Sequence, residues 1–147
     1  MYTYSGDKLT GKTVYDANGT EQYGGFTTTY DAVGNPAQWG RYGYKYLTWS
    51  KGRQLASIDD YGGLCTYRYT YNEDGVRISK EYEEWCELHE YVVSGTTILR
   101  ELVYDTSSGS KVLTYALYYG YDESGSISHV TVAEIVVAIT DSNGTSE

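Results

Sequence analysis

Residues 67–82 read Y-R-Y-T-Y-N-E-D-G-V-R-I-S-K-E-Y, and the fold follows from how that stretch is parsed. Tyr67, Tyr69 and Tyr71 alternate with Arg68 and Thr70; after a break, Val76 and Ile78 alternate with Arg77, Ser79 and Glu81. A two-residue period places successive side chains on opposite faces of a strand, here an aromatic face and a polar one. The break is Asn72-Glu73-Asp74-Gly75. Asn can bond its own backbone two residues on, and Gly takes positive φ without a Cβ clash, so the four residues are a turn. The stretch is a β-hairpin.

The same arrangement recurs outward in both directions: an aromatic or apolar residue, then Asp, Asn or Ser, a short spacer, and Gly. The copies are Tyr15-Asp16…Gly19, Tyr30-Asp31…Gly34, Trp49-Ser50…Gly52, Tyr71-Asn72…Gly75, Val93-Ser94-Gly95, Tyr104-Asp105…Gly109, Tyr121-Asp122…Gly125 and Thr140-Asp141…Gly144. Their glycines are spaced from 14 residues (Gly95 to Gly109) to 23 (Gly52 to Gly75). One turn per such period predicts an array of hairpins with arms of unequal length. Two registers are open. A plain four-residue loop sets Tyr71 opposite Val76, which the central hairpin favours. A turn followed by a glycine bulge sets Tyr121 opposite Ile127, which the Asp122 hairpin favours.

The Y-D-x-x-G pattern with Tyr two residues upstream, as in Tyr119-Gly120-Tyr121-Asp122-Glu123-Ser124-Gly125, resembles the RHS/YD-repeat family. So do residues 28–36, T-T-Y-D-A-V-G-N-P, and the pairing of Leu47-Thr48-Trp49 with Arg53-Gln54-Leu55. The similarity runs from about Tyr4 to about Ser128. It implies a slice of a long β-sheet strip that spirals into a hollow shell, found in bacterial toxin and cell-surface proteins. It further implies an extracellular or cell-surface parent, whose remaining chain and C-terminal cargo would be the partners. The fold class expected is all-β, with consecutive antiparallel hairpins in one elongated twisted sheet. Residues 1–147 form a single segment, read as a piece of a longer polypeptide, with 141–147 as a frayed end.

Composition narrows the function classes. The chain carries 19 Tyr and 17 Gly against single Phe, Met and Pro residues. A tyrosine interior needs a hydrogen-bond partner for every buried hydroxyl, which suits a wet-faced sheet better than a dry sandwich. A net charge of -9 argues against nucleic acid, whose phosphates require clustered Lys and Arg. No apolar run reaches membrane-spanning length, and no signal peptide is visible. Unblunted strands at the two ends, 2–4 and 127–139, predict self-association through edges.

Chemistry is sparse. Residues 81–90 place Tyr82, Trp85, Cys86 and His89 at helical spacing, but a strand connection is favoured for so short a segment. Cys86-Glu87-Leu88-His89 has ligand-like spacing, yet no second Cys/His pair completes a zinc site, so no metal or cofactor is expected. No Cys65–Cys86 disulfide is expected either, because the hairpin register offsets the two thiols. The carboxylates of Asp16, Asp31, Asp105 and Asp122 are accounted for as turn starters, and Asp59-Asp60 and the glutamates of 81–90 as solvated charge. No catalytic constellation emerges. Tyr67, Tyr69 and Tyr71 could stack on sugars, which makes a carbohydrate- or surface-binding module the alternative. The preferred account is cross-strand stabilisation, about 0.2–1 kcal/mol per pair.

Overall fold

The computed structural model describes residues 1–40, 45–60 and 65–134. It contains β1 (Tyr2–Ser5), β2 (Lys8–Tyr15), β3 (Glu21–Thr27), β4 (Thr29–Tyr30) and β5 (Pro36–Trp39). These continue into β6 (Lys45–Ser50), β7 (Gln54–Asp59), β8 (Cys65–Tyr71) and β9 (Arg77–Tyr82). After a single 3-10 turn, Glu83–Trp85, come β10 (Glu87–Ser94), β11 (Thr97–Asp105), β12 (Val112–Tyr121) and β13 (Ile127–Glu134). Among the described residues there is no α-helix. Consecutive strands pair antiparallel throughout except β3 and β4, which follow each other across Thr28 without pairing, so the chain is a meander. By hydrogen bonding it divides into a three-stranded sheet, β1 to β3, and a ten-stranded sheet, β4 to β13. The ladder parts at buried Thr28, whose amide still donates to the Thr10 carbonyl at 2.9 Å.

In a meander, successive turns fall on alternate edges. The turns at Gly6, Gly34, Gly52, Gly75, Gly95 and Gly125 share one edge, here the upper, and each of these glycines has positive φ. The Asp16–Gly19 and Asp105–Gly109 turns lie on the lower edge. The glycine spacing read along the chain therefore mixed two series. Thr140-Asp141…Gly144, the end of the 127–139 run and the frayed end 141–147 lie outside the described residues.

Four of the turns share one chemistry. Asp16, Asp31, Asn72 and Asp122 each donate their amide to the carbonyl four residues on, at 2.8–2.9 Å. Each also accepts the glycine amide three residues on, at 3.0–3.1 Å. Their side-chain oxygens take the amide of the fourth residue on, at 2.8–2.9 Å. These bonds stabilise the ionised form: Ser124 and the turn amides hold the Asp122 carboxyl below its usual range.

Every upper turn is followed by a β-bulge. Tyr4 opposes Leu9, Tyr30 opposes Pro36 and Trp49 opposes Leu55. Tyr71 opposes Arg77, Val93 opposes Ile98 and Tyr121 opposes Ile127. In each pair the register shifts at that point, leaving the next residue on the return strand without a partner. The bulged register thus holds throughout, and the plain loop favoured for the central hairpin is corrected. A four-residue loop would forgo the positive-φ glycine closure seen at Gly75 (φ 81°).

A bulge perturbs the ladder and frees a carbonyl. In four places an aromatic side chain from the next upper hairpin takes it. The Tyr30 hydroxyl donates to Leu9 O at 2.8 Å and the Trp49 indole N–H to Pro36 O at 2.7 Å. The Tyr71 hydroxyl donates to Leu55 O at 3.0 Å and the Tyr121 hydroxyl to Ile98 O at 2.5 Å. Tyr30, Tyr71 and Tyr121 immediately precede their own turns, and Trp49 stands one paired residue, Ser50, before its turn. Each acceptor is the residue opposite the corresponding position of the preceding upper hairpin. Buried Asn35 adds a second tie, donating to the Gly52 carbonyl of the next upper turn at 2.5 Å. Of the two remaining upper bulges, the one at Arg77 faces Val93, whose side chain has nothing to donate.

The apolar core is thin: Val103 and Ala116 are the buried hydrophobic residues among those described. Polar ties therefore carry an unusual share of the stability. Tyr71→Phe, which removes only the hydroxyl, should lower unfolding free energy by about 1 kcal/mol in urea denaturation. Tyr15→Phe, at an exposed lower-edge tyrosine, should leave it unchanged. Equal effects at the two positions would show that the ties are not structural.

Candidate functional site

Directly opposed residues share a sheet face. Tyr69, Lys80, His89, Val103 and Tyr115 oppose one another in succession across β8 to β12 and form one row. Tyr82 and Glu87 form the row on one side of it; Tyr91, Glu101 and Leu117 form the row on the other. This face carries most of the chain's unusual side chains.

At its centre His89 and Glu101 are both buried. Their sequence separation of 12 is closed by the β10–β11 register, which makes them diagonal neighbours. His89 Nδ1 bonds Glu101 Oε1, and His89 Nε2 meets Glu87 Oε1 at 2.6 Å. Glu101 Oε2 accepts the Tyr119 hydroxyl at 2.5 Å. A neutral imidazole has one donor and one acceptor, so only the imidazolium satisfies carboxylates at both nitrogens. Burial by itself would lower the His89 pKa; the hydrogen bonds to Glu101 and Glu87 outweigh it, and the net direction is up. Glu101 is held below its ordinary value, chiefly by the His89 hydrogen bond. Burial, with the Glu101 charge adding to it, pushes the Tyr91 hydroxyl up to about 12, and Tyr119 rises for the same reasons plus its hydrogen bond to Glu101.

This knot ties β10, β11 and β12 together. It leaves His89 no free nitrogen to offer a substrate. Cys86 sits apart from it, free, in the left-handed region (φ 51°) at the end of the 3-10 turn. Among the described residues no group of three or more His, Cys, Asp and Glu is arranged to hold a metal ion. The favoured strand connection across 81–90 is corrected at Glu83–Trp85: that one helical turn is closed by Cys86 N–H to Glu83 O and held by Thr106 N–H to Cys86 O.

The turn presents Trp85, 66% exposed, stacked on Tyr82 with ring centroids 5.4 Å apart. Beside it lies an open hollow of about 330 Å³, whose lining includes Glu84, Glu87, Asp105 and Ser107. The three tyrosines read as sugar platforms are differently placed. Tyr67 meets the edge of Tyr82, with centroids 4.8 Å apart. Tyr69 is covered by the Arg77 guanidinium at 4.2 Å, and Tyr71 spends its hydroxyl on Leu55. All three rings are part-buried. The sequence alone did not find Trp85 as the exposed ring, nor Glu101 as the partner of His89, because both depend on register. Glu87-x-His89, two residues apart and so on one strand face, was the legible half.

No family model and no curated protein matches the chain.

The His89–Glu101 pair makes stability depend on pH. His89 has a raised folded pKa, so its contribution is complete below the ordinary 6.5 and is lost as pH rises through the folded value. Glu101 has a lowered one, so its contribution is complete above the ordinary 4.5 and is lost as pH falls through the folded value. The stability gap between the natural chain and Glu101→Gln should therefore be widest between those values, on the order of 2 kcal/mol. It should narrow as pH rises above 6.5 through the folded His89 value and as it falls below 4.5 through the folded Glu101 value. A gap independent of pH in urea denaturation would rule out the charged tie.

Proposed function

We propose that this chain is a non-catalytic structural repeat module, one section of a sheet that lengthens by adding hairpins. The reading is supported above all by the upper edge, where a bulge follows every turn and an aromatic tie recurs in four places. Substantial contacts run almost wholly between consecutive strands, as in arrays whose units each need only their neighbours. The RHS/YD-repeat resemblance extends this to a wall around a cargo, often a toxin carried at the C-terminus, in an extracellular or cell-surface protein.

Duplication tests it. A second copy of residues 65–86, inserted after the first, adds one upper hairpin and sets its Tyr71 equivalent against the unclaimed Arg77 carbonyl. The longer chain should fold, keep its melting temperature within a few degrees, and gain about 10 Å along the sheet in small-angle scattering, two strand spacings. A duplicate that unfolds would mark a domain whose parts are not interchangeable units.

The alternative, a carbohydrate-binding module, is favoured by one observation: an exposed tryptophan beside a hollow with carboxylates and a serine hydroxyl. Titration with cell-wall and mucin oligosaccharides should then change tryptophan fluorescence. Trp85→Ala should abolish the response, while Tyr69→Ala, whose ring face Arg77 already covers, should leave most of it. Silence across a broad glycan array leaves only the scaffold.

A further inference from the structure

The upper-edge series has an unmatched member at each end. Tyr4 is the pre-turn aromatic of the first hairpin and is 62% exposed; its hydroxyl has no partner among the described residues. Ile127 follows the last upper turn at a bulge, and no described side chain donates to its carbonyl. One end offers the donor that the other end accepts.

The four observed ties also share a register. Extending Gly11 opposite Thr27 sets Leu9 across from Thr29, beside Tyr30. Extending Gln38 opposite Tyr46 sets Pro36 across from Thr48, beside Trp49. Ser57 opposite Arg68 sets Leu55 across from Thr70, beside Tyr71. Arg100 opposite Tyr118 sets Ile98 across from Gly120, beside Tyr121. The donor always lies one residue beyond the position facing the acceptor.

We propose that copies of this chain join head to tail: β1 of one copy adds antiparallel to the outer edge of β13 of another, with Thr3 opposite Ile127 and the Tyr4 hydroxyl on the Ile127 carbonyl. This rests on the structural-repeat reading. The strand senses agree, since β1 runs toward the upper edge and β13 away from it. The surfaces agree as well: Tyr2 and Tyr4 are exposed by 57% and 62%, and Ile127, Val130 and Val132 by 57%, 47% and 58%. The contact is heterologous, so it builds an open series and not a closed dimer. It is short, because β1 has four residues, and each copy carries a charge of -9, so the association is weak and strengthens with salt.

Sedimentation velocity on the full chain, from about 10 μM to about 1 mM, should show growth past the dimer, steeper in salt. Tyr4→Phe should fold normally and lower the association constant about three- to tenfold. In a Cys65→Ser/Cys86→Ser background, a mixture of Thr3→Cys and Ile127→Cys chains should cross-link under mild oxidation; Thr3→Cys with Val132→Cys should not. A monomer throughout, including one whose own residues 135–147 occupy the edge, overturns the proposal. So does an association that Tyr4→Phe leaves unchanged, or equal cross-linking in both pairings. Any of these would leave the effect of Tyr71→Phe and the duplicated chain's folding intact, whereas failure of those two would remove the repeat reading itself.

Discussion

A bulged strand frees a backbone carbonyl, and a carbonyl that is partly shielded from water must find a donor. Much of the upper edge follows from that need. The bulge comes from closing each turn with a glycine at positive φ. The donor comes from an aromatic residue placed just before the next turn. Tyrosine and tryptophan suit the task because each combines a broad apolar body, which covers the sheet, with one polar atom at its far end. A phenylalanine would cover as well and leave the carbonyl unmet, so Tyr30, Tyr71 and Tyr121 could not be exchanged for it without loss.

The ties are not evenly distributed. Val93 occupies a donor position and cannot fill it, so the hairpin tipped by Gly75 and the one tipped by Gly95 lack the link that joins others. On the strands just beyond that gap sits the knot of His89, Glu87, Glu101 and Tyr119, on the face that also carries buried Val103. Two kinds of cohesion thus succeed each other along the sheet. Before the gap, side chains hold backbone carbonyls. After it, the Tyr121 tie to Ile98 is joined by a buried charged cluster that holds three strands and loses strength outside a window of mildly acidic pH.

How much of this was legible in the sequence depends on the distance over which each signal acts. Strand alternation in Tyr67 to Tyr71 and turn chemistry in Asn72 to Gly75 are local, and both appear as read. The edge on which a turn lies is a parity, set by counting strands; Tyr15-Asp16 and Tyr30-Asp31 look alike in sequence and sit on opposite edges. The bulge was visible as one of two options; the glycine closure at Gly75 goes with the bulged one, and the tie from Tyr71 to Leu55, 16 residues away, was not legible. Glu101 was invisible as a partner because its place beside His89 exists only once β10 and β11 are in register. Trp85 stood in a segment whose helical spacing and brevity argued opposite ways, and the structure used the spacing for just one turn.

The acceptor in every upper-edge tie is main chain. Leu9, Pro36, Leu55 and Ile98 are all apolar, but the bond itself goes to their main chain and asks nothing of those side chains. The donor side asks only for an N–H or O–H at the right reach, which is why an indole at Trp49 serves as well as a phenol. Half of each contact is therefore blind to substitution, and the other half accepts two residue types. Hairpins built this way can drift far apart in sequence while keeping the same geometry, so that the lasting trace of common construction is a short aromatic-and-turn signature set among otherwise unrelated residues.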